Sequence, residues 1–218
     1  MTPEARSIAK LREVCAEPDI IDSLAGAFER LHAVEEIVSR SSPTELYESA
    51  WALLGLVARS YQLMICSIDQ IANKNFNGFY AAVRALMESL CAVVWALDNT
   101  DRLPALVQQR PVAIGKVMNA GYRKYPQLRA VYSQISAVVH PNRGGHLLTP
   151  RSDRSDGARG LFTPFELHFS DWFAEYKLSL LIDVSAKIID ELQSLVEAHP
   201  EAIRKGRVMA RLHRAAVD

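Results

Sequence analysis

Across 51 consecutive residues, Arg102 to Ser152, the sequence contains no Asp or Glu. The same stretch holds eight basic residues: Arg102, Arg110, Lys116, Arg123, Lys124, Arg129, Arg143 and Arg151. An even spread of the chain's 25 acids would place about six there, so the bias is local. The total conceals it, because 25 Lys and Arg balance 25 Asp and Glu. Residues 1–101 carry 14 acids and 8 bases (net −6), residues 102–152 net +8, and residues 153–218 carry 11 acids and 9 bases (net −2). A positive block of this size suits an anionic ligand. It suits equally well a basic middle packed against the acidic N-terminal half, within one chain or across a dimer.

Other absences narrow the class. There are three cysteines, Cys15, Cys66 and Cys91, far apart and without a Cys-x-x-Cys pair. That excludes a disulfide framework and a cysteine zinc site, and predicts free thiols in a reducing cytoplasm. No apolar run reaches the ~20 uninterrupted residues of a membrane span. Arg59 and Gln62 break Trp51–Ile68, and Arg84 and Glu88 break Ala81–Leu97. The N-terminal stretch has no apolar secretory core. A cytoplasmic protein without a membrane partner is expected. No His-Glu-x-x-His, P-loop, Gly-x-Gly-x-x-Gly or Gly-x-Ser-x-Gly occurs, and the paired Glu-x-x-His of a di-iron bundle is missing. No metal and no cofactor are expected.

What is present is helical periodicity on a 49 % hydrophobic composition. Thr2-Pro3 reads as a helix start, followed by helical spacing to about Arg40 with a break near Pro18. Ser42-Pro43-Thr-Glu45 reads as the next start, with Ser42 as N-cap, opening a helix through Trp51 to Ile71. A third helix, about Phe79–Leu97, is apolar on most sides and predicts a central, buried position. Shorter helices are expected near Val112–Asn119 and Gln127–His140, the latter stopped by Pro141. Residues 141–164 read as one long loop, and Phe162–Phe169 as a short extended piece. A long helix is expected from Asp171 to about Ala198, with Asp183, Lys187 and Glu191 on its wet side. The fold class is all-α, an antiparallel helical bundle of four to six helices with one long loop. Residues 1–200 form a single bundle domain, and residues 201–218 a basic C-terminal helix or arm carrying Arg204, Lys205, Arg207, Arg211 and Arg214.

Two polar triplets carry the candidate chemistry. Tyr80, Arg84 and Glu88 recur every fourth residue on the central helix, and Tyr132, Ser136 and His140 on a later one. A step of four turns a helix by only about 40°, so each triplet faces one way. The functional reading makes His140 the acid/base, Arg84 the holder of an anion and Glu88 the group that orients one of them. Tyr80, Tyr132 and Ser136 would line the site. Past His140, Gly144-Gly145 opens a loop in which Arg143, His146 and Arg151 could meet a phosphate, or which simply turns. The alternative is a satisfied polar cluster that fixes helix register.

The segment FYAAVRALMESLCAVVWAL, with Arg84-x-x-x-Glu88, followed by Tyr132-x-x-x-Ser136-x-x-x-His140-Pro141, resembles a bacterial all-helical family without an assigned activity. The likeness covers roughly residues 45–195. More distantly the layout is similar to the HEPN domains, many of which are metal-independent RNases acting as dimers. Their motif places an Arg four to six residues before the His on one helix. Here residues 134–136 read Gln-Ile-Ser and Arg129 lies eleven residues before His140, so Arg84 from the neighbouring helix would have to substitute. The expected function is binding of an anionic ligand, RNA or a nucleotide, at a basic polar site. A HEPN-like RNase and a non-catalytic, homo-oligomeric interaction protein are the alternatives.

Overall fold

The computed structural model describes residues 1–107, 112–139 and 171–211. His140, Arg143, His146 and Arg151, the loop at 141–164, the extended piece at 162–169 and Arg214 lie outside the described residues.

The first helix, α1 (Pro3–Arg12), begins as its sequence requires, with the Thr2 hydroxyl accepting from the Ala5 amide and Pro at the first turn. Next is α2 (Pro18–Ser41), which buries Leu24, Phe28, Leu31, Val34 and Val38 at helical spacing. The following segment departs from expectation. Ser42-Pro43 does not open a helix; Glu45–Tyr47 forms a short strand, β1, and α3 runs from Glu48 to Ala72. The reason lies 160 residues away. Val208–Arg211 forms β2, which pairs antiparallel with β1, and Glu48 closes on Arg207. Extended pairing with a distant strand overrides the local capping signal.

Lys74 takes a positive φ of 57° to turn the chain, and the Asn75 side chain caps α4 (Phe76–Asp98) by accepting from Gly78 N at 3.1 Å. Two further helices follow, α5 (Ile114–Lys124) and α6 (Gln127–Val139), and then α7 (Asp171–Ala198). Short 3-10 turns occupy Thr100–Leu106 and Pro200–Arg204. Among the described residues the protein is all-α apart from the β1–β2 ribbon.

The bundle is built from α2, α3, α4 and α7, with α1, α5 and α6 laid against it. Buried residues Phe79, Val83, Leu86, Met87, Leu90, Val93 and Val94 lie around much of α4, which is therefore the central helix. Gly121 on α5 lies so close to α4 that an added Cβ would stand 2.2 Å from Cys91 Sγ. Contacts between the ends fix the directions. Ser49, at the start of α3, donates to Ile203 O, just past α7, so α3 and α7 are antiparallel. Lys177, early in α7, meets Tyr80, early in α4, so these two are parallel.

Residues 199–211 are fastened to the bundle. Ser49 Oγ bridges Ile203 O (2.6 Å) and Lys205 N (2.9 Å), Lys205 pairs with Asp101, and Arg204 Nε donates to Ser41 O at 2.7 Å. Buried Glu48 accepts from the Arg207 amide and guanidinium at 3.1 and 2.9 Å. Gly206 makes the tight approach with φ +87°; a Cβ there would stand 2.7 Å from Glu48 Oε2. The described part of the basic arm is thus a turn and a strand rather than a helix, and several of its cations are engaged by the chain's own oxygens.

By length and composition alone, α3 and α4 are each apolar enough to cross a membrane, with 39 % and 61 % of their apolar windows buried inside the fold. A core helix meets the same test.

Candidate functional site

The predicted triplet on α4 does share one face, and α6 packs across it. Tyr132 is the joint. Its hydroxyl accepts from Arg84 Nε at 3.0 Å and donates to Glu88 Oε1 at 2.8 Å. The Arg84 guanidinium also lies 5.1 Å from the centre of the Tyr132 ring, and 3.4 Å separates Arg84 Nε from Glu88 Oε1. Both charged side chains keep about a quarter of their surface exposed. Arg84, Glu88 and Tyr132 are therefore brought together, with the Tyr132 phenol between the two charges. Burial raises the Tyr132 phenol's pKa, and the Glu88 hydrogen bond adds to this while Arg84 opposes it.

The direction of α6 locates Ser136. Tyr125, just before α6, bonds with Glu191 near the far end of α7, whereas Tyr132 reaches Arg84 and Glu88. Since α7 and α4 are parallel, α6 descends α4 toward lower numbers. One turn beyond Tyr132, Ser136 sits at the level of Arg84 and Tyr80. It is 5 % exposed, and its hydroxyl has no hydrogen-bond partner among the described residues. A buried hydroxyl left unmatched costs roughly 1–3 kcal/mol, so this position favours a polar neighbour.

Tyr80, the third member of the α4 triplet, does not join Arg84 and Glu88 through any of these bonds. It accepts instead from Lys177 Nζ. Lys177 is 1 % exposed, and its ammonium lies 3.9 Å from the Tyr80 ring centre, 4.7 Å from that of Phe76 and 5.9 Å from that of Phe79. Burial pulls its pKa down to about 8. Cys91, one turn past Met87 on α4, is pushed the other way, to about 11, by burial first and the Glu88 charge second.

Lys177 escaped the sequence reading, and Glu191 was placed on the wrong side. Glu191 is 4 % exposed, accepts from Lys124 at 2.7 Å and also holds the Tyr125 hydroxyl. The signal was present. Residues 177, 181, 184, 188, 191 and 195 form one seam at alternating steps of four and three, with Leu, Val, Ile and Leu at four positions and Lys177 and Glu191 at the other two. A charge on an apolar seam marks a buried, partnered group. Among the described basic middle residues, Arg123 faces Asp98 at 3.4 Å, Lys124 pairs with Glu191 at 2.7 Å and Arg102 lies 5.9 Å from the Trp95 ring.

The arrangement offers two cationic side chains, Arg84 and Lys177, along one face of α4, with phenols beside each and one buried hydroxyl between their levels. Among the described residues no three His, Cys, Asp or Glu side chains converge as metal ligands would. Comparison with known proteins finds no matching family, no matching curated protein and no matching solved structure.

Proposed function

We propose that this chain binds an anionic ligand, RNA or a nucleotide, at the α4–α6–α7 face, in the cytoplasm. The observation that carries the reading is the convergence of Arg84, Glu88 and Tyr132, with Lys177 of α7 against Tyr80, one turn before Arg84 on α4. A phenol that accepts from Arg84 Nε fixes the guanidinium plane, and a fixed guanidinium suits an oxyanion better than a mobile one. Glu88 sets the geometry and restrains affinity, since it offsets one positive charge. Arg143, His146 and Arg151, in the sequence that follows α6, would complete the phosphate contacts.

The test is a binding titration of the full chain with single-stranded RNA and with nucleoside triphosphates, at low and high salt. Affinity should fall steeply as salt rises, because bound phosphates release counterions. Arg84→Ala should weaken binding by about tenfold or more, the scale of one charge-assisted contact. Absence of binding to both ligands at low salt would refute the proposal.

A second reading, a HEPN-like metal-independent RNase, is favoured by one specific contact. Arg84 reaches Tyr132 on α6, and His140 follows α6 in the sequence, so an arginine from the neighbouring helix meets the helix that precedes the histidine. Cleavage lost in both His140→Ala and Arg84→Ala, with the fold intact, would support it; cleavage surviving in both would sink it.

A further inference from the structure

Anion binding does not explain why Lys177 is buried. It takes a core position on the seam of α7, where an unbranched apolar side chain of similar length would avoid the desolvation of a charge. Its ammonium packs against three rings from the first turns of α4, at 3.9 Å from the Tyr80 centre, 4.7 Å from Phe76 and 5.9 Å from Phe79. The Tyr80 hydroxyl accepts from Nζ. A buried amine in such a cluster, with one specific polar partner, is a candidate for chemistry.

The cluster lies just beneath the surface. Phe76 and Tyr80 are each partly exposed, and of the three rings only Phe79 is buried. A small molecule approaching along Tyr80 meets the amine behind these two rings. The site is also the positive end of α4, which disfavours a second cation. Burial lowers the amine's pKa to about 8. Near pH 7 about a tenth of the molecules then hold a neutral amine, against roughly one in 3,000 at the ordinary value of 10.5. The neutral form is the one that attacks a carbonyl carbon.

Arg84 follows one turn beyond Tyr80 on the same face of α4, roughly 6 Å along the axis. Its guanidinium is fixed by the Tyr132 hydroxyl at 3.0 Å. We propose that Lys177 is a reactive amine that forms an imine with a small aldehyde or ketone carrying an anionic group a few carbons away. The Tyr80 hydroxyl moves the protons, and Arg84 holds the anionic group. The anionic preference rests on Arg84 as the anion holder of the proposed function; the covalent step rests on Lys177 and Tyr80 alone.

The neutral Nζ bonds to the carbonyl carbon as the C=O π pair moves to oxygen. That oxygen takes the Tyr80 hydroxyl proton, and the phenolate takes one proton from nitrogen, which gives a carbinolamine. The nitrogen lone pair then expels the hydroxyl group, which leaves as water with the Tyr80 proton. The phenolate removes the remaining N–H proton. Amine and carbonyl become imine and water, with no oxidant or reductant.

Trapping in the full chain with sodium cyanoborohydride tests this, because it reduces an imine to a stable secondary amine. Peptide mass spectrometry then compares Lys177 with the exposed Lys74. With succinic semialdehyde at pH 7, Lys177 should be modified about tenfold or more faster than Lys74. With butanal, which has no carboxylate, that ratio should fall about tenfold, and Arg84→Ala should abolish the difference between the two aldehydes. Tyr80→Phe keeps the ring and should slow modification of Lys177 about tenfold or more while leaving Lys74 unchanged. Modification of Lys177 by succinic semialdehyde no faster than that of Lys74 would overturn the inference, as would a Tyr80→Phe variant that reacts as fast. Equal ratios for the two aldehydes would overturn the anionic substrate class. The RNA and nucleotide titrations are separate measurements, so loss of the covalent step and loss of anion binding are distinguishable.

Discussion

Replacing Lys177 by methionine removes a buried charge while keeping an unbranched side chain of similar length. In the folded protein Lys177 is 1 % exposed and the pKa of its ammonium falls from 10.5 to about 8. A shift of that size corresponds to roughly 3 kcal/mol of differential cost for the charged form. In a group whose folded pKa is lowered by burial, the full penalty applies below about 8, where both states are protonated. It fades as pH rises from about 8 toward 10.5, where the folded state has already released its proton. Wild-type stability should therefore rise across this window relative to Lys177→Met. At pH 7 the variant should be the more stable protein, by less than the full 3 kcal/mol or so, because the Tyr80 hydrogen bond and the aromatic contacts are lost with the charge. Urea unfolding of both proteins at pH 7, 8, 9 and about 10 measures the difference directly. Tyr61 is raised to about 12, and Tyr125 and Tyr132 are also raised; they reduce stability above pH 10, but equally in both proteins. A stability difference that stays flat from pH 7 to about 10 would show that the amine is not desolvated as described.

Tyr132→Phe should lower stability by about 1–3 kcal/mol, since it strips one partner from both Arg84 and Glu88; an effect below about 0.5 kcal/mol in denaturant unfolding would count against the joint. Gly121→Ala should be destabilising by roughly 1–3 kcal/mol because its methyl would overlap Cys91, and Cys91→Ala in the same chain should restore part of the loss. Additive losses in that pair would contradict the close approach. Glu48→Ala should cost roughly 1–3 kcal/mol, mainly by leaving the Arg207 amide without its acceptor since the Arg207 guanidinium is exposed, and should speed proteolysis after Arg207. Unchanged protease sensitivity in the variant would mean the segment is held by other contacts.

The helical elements were legible because their signals are local and redundant. The Thr2-Pro3 start, the apolar faces of α2 and α4, and the run from Asp171 to Ala198 each combine periodicity with a boundary residue. The start of α3 was not legible. Ser42, Pro43 and Glu45 satisfy every short-range rule for a capping box, and no rule of that range contains Val208. That Arg84 and Glu88 share a face followed from spacing alone, because residues four apart on a helix must; that Tyr132 on α6 meets them depends on how the helices pack, which spacing does not contain. The location of Lys177 followed from the same spacing, but only if a lysine is allowed onto an apolar seam. Glu191 shows the opposite error. Its offset of four from Lys187 suggests a solvent-facing ion pair, while its offset of seven from Val184 puts it in the core.

The ribbon joining residue 45 to residue 211 has a consequence for how the chain is made. Translation delivers β1 and the first turn of α3, with Glu48, Ser49 and Ala50 that are buried in the folded protein, long before β2 exists. Through that interval Glu48 lacks the Arg207 amide and guanidinium that it holds in the folded protein, and β1 lacks the β2 ladder. The N-terminal helices can assemble on the ribosome, but this corner closes only once residues 204–211 have been made, long after β1.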